Sequence, residues 1–264
     1  MDYIQSNKEA WEEAFEERSG DWGADIISRL NAEEFPFMDK NFIETMSDYE
    51  MEGKTVAQFC CNNGRELLSL MKFGFKSGIG FDIAENQVAF ANDIAKRTNI
   101  RCRFIATDIL KIAAAHHDSF DVIVITIGAL CWFRDLGPFF EMVAKCLKAS
   151  GSVFIHDVHP VANMLGAPGE DGYDETAPNR LVNSYFGKVW KENKGIHYIT
   201  GKSYKSKTFT SFSHSFENIL NAIIESGLSI RKIREFDYDI ADGMFSALDH
   251  KGIPLSFILH ASKS

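Results

Sequence analysis

The stretch from Lys54 to Glu66, Lys-Thr-Val-Ala-Gln-Phe-Cys-Cys-Asn-Asn-Gly-Arg-Glu, decides the fold of this chain. Its apolar first half is typical of a buried β-strand, and the turn that follows leads directly into a helical pattern. Asn62, Asn63 and Gly64 are residue types that tolerate a positive φ, so this turn can approach a ligand closely. The first amides of the helix can face a carboxylate. The alternative is an ordinary strand-to-helix turn in which Asn and Gly serve geometry alone.

Two acidic residues follow at the ends of the next two predicted strands. Asp82 ends the run Gly-Ile-Gly-Phe-Asp, and Asp108 ends the run Phe-Ile-Ala-Thr-Asp. A carboxylate at Asp82 can accept hydrogen bonds from both ribose hydroxyls, and one at Asp108 can accept from an adenine amine while Ile109 packs on the ring. Gln87, one turn into the next helix, is placed to contact the same nucleoside. The alternatives are helix N-caps for the two acids and a solvated position for Gln87.

The composition argues against several classes of function. The chain has 264 residues and a formal net charge of −9, and an acidic surface repels phosphate backbones, so a nucleic-acid partner is not expected. No run of 18 apolar residues predicts a membrane span. The first residues lack the pattern of a secretion signal, and the cysteines form no CxxC pair or Cys/His cluster, which predicts a cytoplasmic protein without a metal site. These five cysteines are interpreted as small buried residues: Cys60, Cys61, Cys102, Cys131 and Cys146.

The central half alternates between short apolar β-rich runs and helical patterns, which is typical of a parallel sheet with helices on both faces. Strands are predicted at about 55–60, 77–82, 101–107, 120–126 and 151–157. The helices between them are predicted at about 64–73, 85–97, 109–116 and 135–148. A helix at about 215–226 precedes two more strands at about 228–237 and 254–261. The pattern therefore indicates an α/β fold.

Two further segments complete a single predicted domain that spans residues 1–264. Residues 1–50 are expected to form a helical cap, and residues 158–213 an insertion with two antiparallel strands. Together the two segments are expected to enclose a substrate cavity beside the strand ends. The alternative is a satellite core beneath a long loop. The aromatic and histidine side chains expected to line the cavity are Trp11, Tyr173, Tyr185, Phe186, Trp190, His197 and Tyr198.

With its turn, its two acids and a Trp-containing loop after the fourth strand, the chain resembles the class I S-adenosylmethionine-dependent methyltransferases. The resemblance covers nearly the whole chain and is greatest to small-molecule members akin to the ubiquinone-biosynthesis C-methyltransferase group. Residues 225–236 and 253–261 look like the terminal helix, sixth strand and antiparallel seventh strand of such enzymes. The resemblance implies a Rossmann-like, doubly wound, seven-stranded sheet, mostly parallel with an antiparallel last strand and with helices on both faces.

Some cofactor contacts are expected from the position of a loop in the sheet, and others are implied by the family. In the loop after the fourth strand, Thr126, Ile127 and Gly128 are expected to contact the methionine part of S-adenosylmethionine. Trp132 is expected to cover the sulfonium through a cation–π contact, unless it serves packing alone. The contacts implied for S-adenosylmethionine are Cys61, Asn62, Gly64, Asp82, Ile83, Asp108, Ile109 and Ile127.

The first turn departs from the family pattern. The usual acid of the first strand is Gln58 here, and the two earlier glycines of the turn are Cys60 and Asn62. Gln58 cannot pair ionically with the cofactor's ammonium, so any help from this residue is expected to be a hydrogen bond or a water bridge. The nucleoside half of the site therefore matches the family better than the methionine half.

Candidates for a proton acceptor follow the fifth strand, in Phe-Ile-His-Asp-Val-His-Pro. They are His156, Asp157 and His159, together with His214 before the helix at 215–226. Histidine suits the role because its pKa lies near neutral pH, and His159 is the preferred candidate, with Asp157 able to orient a neighbouring imidazole. The alternative is a set of polar residues satisfied at a strand end. The cluster also resembles a set of metal ligands, but no metal is predicted.

The sequence therefore predicts an enzyme that transfers the methyl group of S-adenosylmethionine by in-line displacement to a small-molecule acceptor, without a nucleic-acid or membrane partner. It carries no prediction of oligomeric state. One alternative is a non-catalytic protein that binds S-adenosylmethionine or S-adenosylhomocysteine on the same fold. A nicotinamide-dependent oxidoreductase is disfavoured because the turn lacks the Gly-x-Gly-x-x-Gly pattern.

Overall fold

The computed structural model describes residues 2–264, except for the side chain of Tyr198. A seven-stranded sheet forms its centre, in the order β3-β2-β1-β4-β5-β9-β8, and β9 runs antiparallel to both of its neighbours. A separate antiparallel pair, β6 and β7, forms a hairpin-like sheet within the insertion, as expected. The strands are β1 (Thr55–Phe59), β2 (Ser77–Asp82), β3 (Cys102–Ala106), β4 (Phe120–Thr126), β5 (Leu147–Val158), β6 (Val189–Glu192), β7 (Phe209–Phe212), β8 (Leu228–Phe236) and β9 (Ser256–Lys263).

Helices cover both faces of the sheet, so the predicted doubly wound fold is confirmed. Alternate residues of β4 face opposite cores: Val122 and Val124 pack toward α2 to α5, and Ile123 and Ile125 pack toward α6 and α8. The helices are α1 (Tyr3–Glu16), α2 (Ile26–Ala32), α3 (Lys40–Ser47), α4 (Arg65–Leu70), α5 (Glu85–Thr98), α6 (Leu136–Cys146), α7 (His197–Thr200) and α8 (Phe216–Glu225).

One predicted helix is wrong. Residues 109–116 form two single 3-10 turns, Ile109–Lys111 and Ala114–His116, with extended backbone between them. The extended conformation at Ile112 places its side chain in the core, where it is buried, and this burial interrupts the helix. Ala106, the last residue of β3, is exposed, and Thr107 and Asp108 after it are half-buried.

Helix α1 connects the insertion to the carboxyl edge of the sheet. Asn7 exchanges two hydrogen bonds with the backbone of Thr210 in β7, at 2.8 and 2.7 Å. On its other side, α1 contacts the start of α5, where Lys8 pairs with Glu85 and the side-chain Nδ2 of Asn86 donates to the Glu12 carbonyl at 2.8 Å. No helix in the described chain combines the length and apolar character needed to cross a bilayer.

Candidate active site

The turn after β1 has the expected positive φ at Asn62 and Gly64 but not at Asn63, and it has a further one at Cys60. Cys60, Asn62 and Gly64 have φ values of 57°, 49° and 77°. At Gly64 a Cβ atom would lie 2.6 Å from the ring of Phe104 and 2.8 Å from the Cβ of Ala91. Glycine is therefore required both by the backbone conformation and by the close packing of α4 against α5 and β3.

Asp82 at the end of β2 holds this turn in place. Its Oδ2 accepts a hydrogen bond from the Asn62 amide at 2.8 Å, and its Oδ1 accepts from the Ala84 amide at 3.0 Å. Helix α5 begins at Glu85 with no side-chain cap, so Asp82 is not its N-cap. Burial raises the pKa of Asp82, although these amides oppose the rise. Each oxygen keeps a second lone pair, so the carboxylate can still accept from a ligand.

Asp108 serves as a cap and also keeps one oxygen available. Its Oδ1 accepts from the Leu110 amide at 3.0 Å, which caps the first 3-10 turn. Its Oδ2 has no hydrogen-bond partner among the described residues and lies 3.3 Å from the Lys111 Nζ. Ile109 beside it is buried in the core. Asp108 therefore acts as an N-cap, which was the alternative interpretation. Its role in adenine binding stays a prediction.

A cavity of about 230 Å³ opens at these strand ends. It is lined by residues that follow β2 and β3, such as Ile83 and Asp108, and by residues of α1. Gln87 nearby is buried rather than solvated, and its Oε1 has no hydrogen-bond partner among the described residues. The residues that line the cavity are Asp2, Ile4, Gln5, Lys8, Ile83, Glu85, Ala106, Thr107, Asp108 and Lys111.

The loop after β4 is shaped by Asp157. The carboxylate accepts from the amides of Gly128 at 2.7 Å, Val158 at 2.7 Å and Leu130 at 3.2 Å. Burial raises its pKa against the effect of these amides. Asp157 thus fixes the backbone beside Ile127, whose side chain is 39% exposed.

The same loop is held by His214, whose Nε2 lies 2.9 Å from the carbonyl oxygen of Phe133. This contact fits a neutral ring that donates to the carbonyl, and burial lowers the pKa of His214. Two of the four predicted proton acceptors, Asp157 and His214, therefore contact the loop backbone.

The other two histidines differ in whether a ring nitrogen is free. His159 accepts from the Val161 amide through Nδ1 at 3.0 Å, and its Nε2 lies 2.9 Å from Glu235 Oε1. His156 stacks on Phe42 with ring centroids 5.4 Å apart, and its buried Nε2 has no hydrogen-bond partner among the described residues. Burial lowers the pKa of His156 to about 4, so its ring is neutral near pH 7. Within residues 2–264, no three His, Cys, Asp or Glu side chains converge as a metal site.

Trp132 lies in an aromatic cluster that joins the loop, α1 and β7. Its ring centroid is 5.3 Å from that of Trp11 and 6.1 Å from that of Phe209. The three rings pack through edge-to-face and tilted contacts. Trp132 therefore packs against α1 and β7, and its role in covering the sulfonium stays a prediction.

The insertion aromatics do not share one environment. Phe186 is 86% exposed, whereas the Tyr185 hydroxyl accepts from the Phe216 amide at 3.1 Å and so caps α8. Trp190 is half-buried and has Lys188 over its ring at 5.0 Å. The predicted contact of the Tyr198 side chain with a cavity lies outside the described part of the chain.

Sequence reasoning missed Glu66. Its Oε2 accepts from Gln58 Nε2 at 2.8 Å and from the Thr126 hydroxyl, so an acid on α4 meets the ends of β1 and β4. The sequence signal was present, because Glu66 occupies the first turn of the helix that follows the decisive turn. Only the fold shows that this carboxylate faces Gln58.

Comparison with known proteins gives one match to a family model. Residues 56–151, from β1 into β5, match the family model described as a methyltransferase domain, which covers less than half of the chain. The matched segment contains the turn, Asp82, Asp108 and the loop after β4. No curated protein sequence matches the chain significantly.

Several solved structures share the fold at low sequence identity. A proposed S-adenosylmethionine-dependent methyltransferase from Listeria monocytogenes is 19% identical with a TM-score of 0.63, over 85% of this chain and 96% of that one. An S-adenosylmethionine-dependent methyltransferase from Mesorhizobium loti is 20% identical with a TM-score of 0.61, over 89% and 100%. Geranyl diphosphate C-methyltransferase from Streptomyces coelicolor, in complex with S-adenosylhomocysteine, is 12% identical with a TM-score of 0.61, over 100% and 98%.

Proposed function

We propose that the protein transfers a methyl group from S-adenosylmethionine to a small-molecule acceptor by in-line displacement. S-adenosylmethionine is the cofactor, in accord with the methyltransferase domain and with the S-adenosylhomocysteine complex that shares this fold. The observation that carries the proposal is the hydrogen bond from the Asn62 amide to Asp82. This hydrogen bond joins the turn after β1 to the acid at the end of β2. Both lie at the carboxyl ends of parallel strands, where ligands bind in open α/β sheets.

The nucleoside is placed by the acids of β2 and β3. Asp82 retains lone pairs for the ribose hydroxyls, and the cavity beside Asp108 and Ile83 has room for an adenine ring. The Oδ2 of Asp108, which has Lys111 Nζ 3.3 Å away but no hydrogen-bond partner, suits an exocyclic amine, and the unpartnered Oε1 of Gln87 is a further acceptor.

The acceptor approaches from the side of β4 and β5. In-line transfer depends mainly on holding the acceptor atom and the methyl group in line, so a fixed loop is an advantage. Asp157 and His214 supply this rigidity through their contacts with the loop backbone. The cover formed by α1 and the aromatic cluster of Trp11, Trp132 and Phe209 favours a small molecule over a polymer.

Where the acceptor must lose a proton, His156 is the candidate that keeps a ring nitrogen without a partner, although a pKa of about 4 makes it a weak base near pH 7. Both ring nitrogens of His159 have partners, whereas His156 Nε2 has none among the described residues. His156 pairs in register with Thr126, so both side chains lie on one face of neighbouring strands. An acceptor that is already an anion, an amine or a thiolate would need no base.

The proposal is tested by calorimetry followed by a transfer assay. The protein should bind S-adenosylhomocysteine and not NAD, because the turn lacks the glycines that admit a pyrophosphate. Incubation with methyl-labelled S-adenosylmethionine and a fractionated pool of small metabolites should then yield a labelled product. Binding without transfer to any fraction would favour the non-catalytic alternative, and NAD binding without S-adenosylhomocysteine binding would contradict the proposal.

A further inference from the structure

A hydrogen-bonded network of three side chains lies between the ends of β1 and β4. Gln58 donates through Nε2 to Glu66 Oε2 at 2.8 Å and to Thr126 Oγ1 at 2.7 Å, and the Thr126 hydroxyl donates to the same Glu66 oxygen. A carboxylate oxygen that accepts from two fixed donors has a fixed orientation.

Gln58 has no donor left for a ligand. Both of its N–H groups are used within the network, its Oε1 accepts from the Leu67 amide at 3.1 Å, and its side chain is buried. Gln58 can therefore not donate to the cofactor, whereas its Oε1 keeps one lone pair that can accept, so the expected hydrogen bond or water bridge to the ammonium stays a prediction. What Gln58 does is orient Glu66.

Glu66 carries a negative charge without a counter-charge in this part of the structure. Among the described side chains, no Lys or Arg pairs with it, and no donor is hydrogen-bonded to its Oε1. The residue is half-buried, so its field is screened less than that of a surface carboxylate. Such a group attracts a cation.

We infer that Glu66 binds the ammonium group of S-adenosylmethionine, in place of the acid that is absent at Gln58, and that Gln58 and Thr126 are its positioning residues. The inference rests on the proposed function. The strand order β3-β2-β1-β4 sets the direction of the ligand: with the nucleoside at β3 and β2, the amino-acid end reaches β1 and β4. Three strand spacings separate the two edges, roughly 14 Å.

Two probes separate the amino-acid part from the nucleoside. S-adenosylhomocysteine carries the ammonium, and 5′-methylthioadenosine has the same nucleoside thioether without the amino acid. Glu66→Gln should weaken S-adenosylhomocysteine binding by about 10- to 100-fold, as expected for loss of a charged hydrogen bond, and 5′-methylthioadenosine binding by less than about twofold. Glu217→Gln, a change at an exposed first-turn glutamate of α8, is the matched control and should alter neither affinity.

The double variant Gln58→Glu/Glu66→Gln returns the single carboxylate to β1 and keeps one amide beside it. It should bind S-adenosylhomocysteine at least about fivefold more tightly than Glu66→Gln, which a purely structural role of Glu66 would not produce. Equal losses for both probes, no loss with Glu66→Gln, or no recovery in the double variant would overturn the inference. If the unaltered protein binds neither probe, the proposed function fails first.

Discussion

At the ends of β2 and β3 the candidate site presents carboxylates supported by backbone amides, whereas at the ends of β1 and β4 it presents a network of side chains. Asp82 accepts from the amides of Ala84 and of Asn62 in the turn after β1. Asp108 accepts from the amide of Leu110, two residues further along the chain. Glu66 instead depends on Gln58 and Thr126, which come from two different strands. The nucleoside half is therefore built from local geometry, and the methionine half from long-range contacts.

The largest effect is expected from Gly64→Ala, because the turn is shared by both halves. The new Cβ would meet Phe104 and Ala91 at under 3 Å in a left-handed conformation, and together crowding and strain should lower the free energy of unfolding by about 3–5 kcal/mol. Urea denaturation measures this. Gly227 has a φ of 85° and open space where a Cβ atom would lie. Gly227→Ala should therefore lower the free energy of unfolding by only about 1–2 kcal/mol. Equal losses in the two variants would contradict the packing argument.

Asp82→Ala should separate the nucleoside half from the methionine half. It removes an acceptor for the ribose and a support for the turn, so affinity for both S-adenosylhomocysteine and 5′-methylthioadenosine should fall about 10- to 150-fold. Glu66→Gln, by contrast, should affect only the first ligand. Asp93→Ala, on the exposed face of α5, is the control. An unchanged affinity in Asp82→Ala would place the nucleoside elsewhere.

His156 should make stability depend on pH. Its pKa is about 4 in the folded protein and about 6.5 when unfolded, so between these values the unfolded state binds more protons. The free energy of unfolding should then fall as pH is lowered from 6.5, by up to about 2 kcal/mol at pH 5 from this residue. His156→Phe keeps a ring against Phe42 and should lose less stability over this range. A curve parallel to that of the unaltered protein would show that His156 is not buried as described.

The smallest effect is expected at the contact between α1 and the start of α5. Lys8→Gln breaks the ion pair between Lys8 and Glu85. Because both side chains are partly exposed, the free energy of unfolding should change by only about 0–1 kcal/mol. The dissociation rate of S-adenosylhomocysteine should rise, because α1 forms one wall of the nucleoside cavity. Stopped-flow measurement checks this, with Lys40→Gln on α3 as the control. An unchanged rate would mean that α1 does not gate release.

The difference between the two halves also explains what the sequence could predict. Strand and helix periodicity located β2 and β4 to the residue, and acids at strand ends pointed to Asp82 and Asp108. The segment at 109–116 was mispredicted because the burial of Ile112 outweighs its helical pattern. Two contacts could not be predicted: the one between Glu66 and Gln58, and the one between Asp157 and the loop after β4. Both depend on how separate strands are brought together in the sheet, and sequence periodicity does not encode this.

The most direct test of the account is a crystal structure with S-adenosylhomocysteine bound. We predict ribose hydroxyls within hydrogen-bond distance of Asp82, adenine in the cavity lined by Ile83 and Asp108, and the ammonium against Glu66. A nucleoside bound at any other edge of the sheet, or an ammonium that makes no contact with Glu66, would contradict the division of the site into these two halves.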